Sequence, residues 1–150
     1  MSLVLRKMAA TSFQATNKIV FYNFRETSGI AGITMKSILI VDDEEIILDL
    51  LESLFGGQYT IFRATDGQEA LKIFNLETPN LVISDLSMPK LGGIELIKTL
   101  KSEGACKIIA LSGQKDSVLE QARQGGADEV LRKPIDMKQL IDLTGKYLVK

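Results

Sequence analysis

Three carboxylates, a hydroxyl and an ammonium each close an apolar run in this chain. Asp42-Asp43 follow Ile38–Val41, Asp85 follows Leu81–Ser84, Ser112 follows Ile108–Leu111, and Lys133-Pro134 follow Glu129–Arg132. A run such as Leu81-Val82-Ile83 reads as a strand covered on both faces, as in a parallel sheet. Its last residue then stands at the carboxyl edge, where open α/β sheets bind ligands. Asp85 held there can serve as a ligand, a nucleophile or a turn cap. Taken alone, Asp42-Asp43-Glu44-Glu45 also suits the positive end of a following helix. Ser112 alone can be a helix-entry residue, and Lys133 a solvated surface lysine. Their common placement at strand ends favours a shared site.

The elements that must position these groups follow a repeating pattern from Lys36 onward. Strands are expected over Ser37–Val41, Tyr59–Ala64, Leu81–Ser84, Lys107–Leu111 and Glu129–Arg132. Helices are expected between them over Glu44–Phe55, Gly67–Leu76, Gly92–Ser102 and Ser117–Gln124, with Met137–Leu148 last. On the first helix Ile47, Leu50, Leu51 and Leu54 fall at helical spacing and should face the sheet, with Ile46 and Leu48 partly off that stripe. On the last, Leu140, Ile141, Leu143, Tyr147 and Leu148 should do so, with Asp136 as N-cap. Gly56-Gly57, Gly104 and Gly125-Gly126 follow helices where a left-handed terminating residue is expected. Five such β-α units imply a right-handed, doubly wound parallel sheet with helices on both faces, an α/β fold.

Adjacent strands in such a sheet lie about 5 Å apart. If the first, third, fourth and fifth strands are neighbours, Asp42, Asp43, Asp85, Ser112 and Lys133 converge. Three carboxylates so close repel one another, and some would be protonated without compensation. A divalent cation removes that difficulty. Mg²⁺ suits the set because it takes oxygen ligands octahedrally, commonly one or two carboxylates with waters and phosphoryl oxygens.

Composition bounds the rest. At 150 residues with near-balanced charge, one domain is expected and nothing points to nucleic acid. Residues 1–35 are basic, with Arg6, Lys7, Lys18 and Arg25 against Glu26 alone, and do not join the β-α rhythm. They are expected to be an N-terminal extension, mobile or loosely docked, with the regular domain over 36–150. Met35 immediately precedes the first strand, which suggests an upstream start or an added extension. The lone Cys106 excludes an internal disulfide and fits a reducing cytoplasm, where it reads as a small core filler. No apolar stretch approaches the roughly 20 residues of a membrane span. There is no histidine, so any phosphohistidine or histidine base must belong to a partner.

Ile38-Leu39-Ile40-Val41-Asp42-Asp43-Glu44, Asp85 with Met88-Pro89 and Gly92-Gly93, Ser112-Gly113, and Lys133-Pro134 together resemble the receiver domain of two-component response regulators. The resemblance covers Lys36 to Lys150 and implies a flavodoxin-like strand order, 2-1-3-4-5. It implies that Asp85 is the phosphoacceptor, taking a phosphoryl group from a phosphohistidine on a histidine kinase or histidine phosphotransferase. Asp42 and Asp43 would hold Mg²⁺, helped by Asp85 and the backbone carbonyl of Ser87. Lys133 would neutralise charge on the phosphoryl oxygens, and Ser112 would close onto them, with Gly113 leaving room. The Lys133-Pro134 bond is expected to be cis. One departure stands out: the family usually has Tyr or Phe three residues before the lysine, and here that residue is Val130. Rotation of an aromatic ring cannot then be the readout.

The resemblance implies a signalling switch and phosphoacceptor rather than an enzyme, with slow self-dephosphorylation compatible. The sequence ends just after the last helix, so a stand-alone receiver is expected, with output by contact with a downstream protein target or by onward phosphotransfer. The expected surfaces are the helix after Ser112, the strand and helix around Lys133, and the first helix with Ile46 or Leu48. A phosphorylation-independent binding module on the same fold is the alternative. A haloacid-dehalogenase-type phosphatase is disfavoured because it wants an Asp where Ser87 stands. Nucleotide binding is disfavoured because neither a P-loop nor G-x-G-x-x-G follows the first strand.

Overall fold

The computed structural model describes residues 34–88, 91–104 and 106–149. The expectations for the extension therefore lie outside the described residues, Thr34 and Met35 excepted. Five strands, β1 (Ser37–Val41), β2 (Thr60–Ala64), β3 (Leu81–Asp85), β4 (Lys107–Ser112) and β5 (Glu129–Arg132), alternate with five helices. These are α1 (Glu45–Phe55), α2 (Gly67–Glu77), α3 (Gly93–Glu103), α4 (Asp116–Gly125) and α5 (Met137–Leu148). The sheet is wholly parallel in the order β2-β1-β3-β4-β5, so β1, β3, β4 and β5 are consecutive neighbours as convergence requires.

Apolar runs in the central strands follow from burial on both faces. Successive side chains alternate between faces of a strand. Leu39 and Val41 enter one core with Val82, Ile108 and Ala110, packed against Phe74 of α2, Leu96, Ile97 and Leu100 of α3 and Ala122 of α4. Ile38 and Ile40 enter the other with Leu81, Ile83, Ile109 and Leu111, under Leu48, Leu51 and Phe55 of α1 and Leu140 and Leu148 of α5. Each such side chain contributes about 1.5–3 kcal/mol by leaving water, so the central strands are the rigid base from which Asp42, Asp85 and Ser112 project.

The helix faces differ from expectation. On α1 the buried stripe is Leu48, Leu51 and Phe55, while Leu50 is exposed and Ile46 is 73% exposed. That rotation also sets Glu45, Asp49 and Glu52 on the flank of α1 that faces Arg63 of β2, and Arg63 pairs with all three. Of the two residues expected to offer a first-helix surface, Ile46 is therefore available and Leu48 is core. On α5, Ile141 is exposed and Thr144 is buried in its stead. Tyr147 sits between Lys107 and Lys146 and donates to Glu129 Oε1, which holds that flank against β4 and β5.

The helix caps match the expectation at Asp136 and differ at two glycines. Asp136 Oδ1 accepts from the Gln139 N–H, as expected of an N-cap. Of the helix-ending glycines, Gly126 alone has the left-handed backbone, with φ of 114°, whereas Gly56 is helical at −63° and Gly104 extended at 168°. The other left-handed terminator is Thr78, with φ of 46°.

Candidate functional site

The site is built on four strand ends, those of β1, β3, β4 and β5. Val41 ends β1, and its successor Asp42 is 1% exposed, its N–H donating to Ala64 O across to β2. Asp42 Oδ1 accepts from the Glu44 N–H at 2.9 Å, which turns the chain into α1. Asp85 is the last residue of β3 and 3% exposed. Its carbonyl accepts from the buried Ser84 hydroxyl. An added Cβ at Gly93, the first residue of α3, would lie 2.5 Å from Leu86 Cα and 2.9 Å from Asp85 O. Only glycine lets α3 sit so close to the Asp85–Leu86 peptide.

Lys133 follows β5, and its N–H donates to Ser112 O at 2.8 Å, continuing the β4–β5 ladder beyond the Ser112–Arg132 pair. The Lys133-Pro134 bond is cis, as the resemblance implied. The Lys133 ammonium lies 3.4 Å from Asp85 Oδ1 and 3.6 Å from Asp42 Oδ2. Those two carboxylate oxygens are buried and, among the described residues, accept no hydrogen bond that satisfies ordinary geometry. Burial pushes the Asp42 carboxyl above its usual range; the Glu44 N–H and Lys133 oppose this, while Asp85 and Asp43 reinforce it. Burial alone would lower the Lys133 ammonium, but Asp85 and Asp42 outweigh it and the net shift is upward.

Asp43 and Glu44 stand exposed beside Asp42, and each of the three offers a carboxylate oxygen within 4.8 Å of the others. An all-oxygen, anionic set with buried oxygens left unpartnered fits a hard divalent cation. Glu44 was visible in the acidic run but was not singled out as a donor. Ser112 is fully buried at the end of β4, and its hydroxyl accepts from the Gln114 N–H at 3.0 Å. The structure thus brings Asp42, Asp85 and Lys133 into direct contact and leaves the Ser112 hydroxyl turned to its own loop. A Cβ at Gly113 would meet Lys133 Cβ at 3.8 Å, an ordinary contact, so that glycine is not sterically required here.

Two residues that the motif did not single out reach the site's rim. Gln114 Nε2 donates to Ser87 Oγ, joining the loops after β4 and β3. Arg132 Nη1 donates to Gln114 O at 3.4 Å and Nη2 pairs with Asp116. Their sequence carries no periodic or motif signal, because these contacts depend on how two loops meet. Val130 packs, partly buried, against the core shared with Leu39 and Ala110.

The family model of the response regulator receiver domain matches residues 38–144. The chain belongs to that family. It is 42% identical over 113 residues to a probable transcriptional regulator, ycf27, of Cyanophora paradoxa, covering 72% of this chain and 46% of that protein. The chain thus spans about half the length of that relative. It is 34% identical over 116 residues to sporulation initiation phosphotransferase F of Bacillus subtilis, covering 75% of this chain and 94% of that protein. Among solved structures it resembles a chain of the co-crystal structure of the Saccharomyces cerevisiae histidine phosphotransfer signaling protein Ypd1 and the receiver domain of its downstream response regulator Ssk1. That match has a TM-score of 0.68 at 25% identity, covering 77% of this chain and 91% of that one. Among the described residues no helix is long and apolar enough to cross a membrane.

Proposed function

We propose that residues 36–150 form a receiver that accepts a phosphoryl group on Asp85 from a phosphohistidine of a histidine kinase or histidine phosphotransferase. The observation that carries this reading is the Lys133 ammonium set against Asp85 Oδ1 at 3.4 Å and Asp42 Oδ2 at 3.6 Å, beside an acidic group able to hold a cation. The 150 residues hold no histidine that could itself be the donor, which supports a donor outside them. An Asp85 carboxylate oxygen attacks phosphorus in line. The P–N bond breaks and its electron pair returns to the partner's imidazole, leaving an acyl phosphate.

Asp42, Asp43 and Asp85, with the Ser87 carbonyl, would hold Mg²⁺, which when bound supplies positive charge against the phosphoryl oxygens. Lys133 presents a second positive charge to the same oxygens, the main electrostatic need of phosphoryl transfer. Ser112 turns its hydroxyl from Gln114 toward the phosphoryl group. Slow hydrolysis of the acyl phosphate resets the protein. Output runs through contact with a downstream protein or onward phosphotransfer, without direct nucleic-acid or membrane binding. A cytoplasmic setting accords with the free, buried Cys106.

Beryllofluoride with Mg²⁺, or a small-molecule phosphodonor, should modify the wild-type chain, and Asp85→Asn should abolish the reaction. Equal phosphorylation of Asp85→Asn would remove Asp85 as nucleophile. Millimolar Mg²⁺ should shift amide resonances near Asp43 and Asp85, and no response would remove the cation from the reading.

A further inference from the structure

We infer that Arg132 is a positioning residue that holds the Ser112 loop in the arrangement in which the Ser112 hydroxyl faces Gln114, and carries the loop's movement to α4. This rests on the phosphoacceptor reading of Asp85. The Ser112 hydroxyl accepts from the Gln114 N–H, so a turn of that hydroxyl toward a phosphoryl group on Asp85 either breaks this bond or draws Gln114 with it. Gln114 is held in turn at two other points: its side chain donates to Ser87 Oγ, and its carbonyl accepts from Arg132 Nη1. The same guanidinium pairs with Asp116, the first residue of α4. One side chain therefore grips both the loop that restrains Ser112 and the helix that begins where the loop ends.

The backbone makes this grip an effective lever. Ser112 and Arg132 are partners in the β4–β5 register, and Ser112 O accepts from the Lys133 N–H. The base of the loop is thus fixed to the sheet, and movement of Ser112 is confined to the hydroxyl and the residues after it. Val130 offers no ring to rotate and stays packed in the core. Arg132 and Asp116 are 54% and 88% exposed, so their pairing is weak and screened by salt. Weakness suits a switch: phosphorylation of one residue need overcome only a small bias. Two contacts from one planar guanidinium also give a geometric constraint that a lysine ammonium cannot reproduce.

The test uses the full chain labelled with ¹⁵N, with amides of Ala122 and Arg123 on α4 as reporters beyond the first turn that holds Asp116. In wild type these resonances should move along a line between the free and the beryllofluoride–Mg²⁺ forms. Arg132→Ala without beryllofluoride should shift them along that line, raising the population of the activated arrangement about fivefold. Asp116→Asn should shift them in the same direction, and adding it to Arg132→Ala should add little, since both remove one contact. Arg132→Lys should give an intermediate position. Free-form resonances of Arg132→Ala that stay at their wild-type positions, in a wild type that responds to beryllofluoride, would overturn this inference alone. A wild type that does not respond would overturn the phosphoacceptor reading and this inference together.

Discussion

Lys133 Nζ lies 3.4 Å from Asp85 Oδ1 although β4 separates the strand of the lysine from that of the aspartate. Two strand spacings are about 10 Å, and the lysine stem spans much of that gap while remaining 24% exposed. The ammonium also faces Asp42, on the far side of β3. One cation thus compensates two buried carboxylates drawn from different strands. A phosphoryl group or divalent cation arriving there meets groups already desolvated.

Replacing the lysine should expose that arrangement. Lys133→Ala leaves Asp42 and Asp85 buried without their ammonium, and should destabilise the metal-free protein by about 2 kcal/mol, between the values for exposed and fully buried pairs. Added Mg²⁺ should then raise the melting temperature of the variant by more than it raises that of wild type. Equal Mg²⁺ increments in calorimetry would show that lysine and cation do not compensate the same carboxylates.

The paired glycines before α3 should behave unequally. A Cβ at Gly93 would press on Leu86 Cα at 2.5 Å, whereas one at Gly92 meets nothing within 4 Å. Gly93→Ala should cost about 1–3 kcal/mol by overpacking, and Gly92→Ala less, about 0.5 kcal/mol, from the preference of an N-cap for glycine over alanine alone. Urea titrations of the two variants provide the comparison; similar midpoints would contradict the close seating of α3 on Asp85.

Thr144 is 1% exposed on the sheet-facing side of α5, and its hydroxyl finds no hydrogen-bond partner among the described residues. A buried hydroxyl without a partner opposes folding. Thr144→Val keeps the shape and removes the polar atom, and should stabilise by about 1 kcal/mol. A lowered urea midpoint would mean that the hydroxyl is satisfied in solution.

Asp128 ties three groups together where β4 begins: Lys101 Nζ and the Ile108 N–H, both at 2.8 Å, and Lys107 Nζ at 3.4 Å. Burial would raise its carboxyl, but these partners outweigh burial and hold it below the usual range. The folded state thus releases this proton more readily than the unfolded chain. Its stabilisation is full above the unfolded value of about pH 4 and drains as pH falls through the lower folded value. Asp128→Asn should lose about 1–2 kcal/mol at neutral pH. The gap to wild type should narrow below about pH 4; a pH-independent gap in chemical denaturation would place the effect in packing instead of charge.

Much of this was legible in the residues themselves. Leu81-Val82-Ile83 reads as a central strand because a parallel strand covered on both faces leaves no polar position in such a run, and the run is too short for a buried helix. Asp42, Asp85 and Lys133 were legible because each stands at the carboxyl end of its strand or directly beyond it. The rotation of α1 was not. Ile46, Ile47, Leu48, Leu50, Leu51 and Leu54 fit more than one stripe of period 3.6, and the stripe that is buried depends on residues of other elements: the core under Leu48, Leu51 and Phe55, and Arg63 opposite Glu45, Asp49 and Glu52. Thr78 took a left-handed position that glycine was expected to fill elsewhere, because the path of the following loop decides a helix end as much as its residues do.

By itself, then, the sequence determined the parallel α/β architecture and the acidic and lysine groups at one sheet edge, because hydrophobic periodicity and strand-end placement are local properties. Only the tertiary structure decided that one ammonium serves both Asp42 and Asp85, that Ser112 is turned to Gln114, and that Arg132 reaches Asp116. Those relationships join residues from different strands and loops, and their distances exist only once the sheet order and loop paths are fixed.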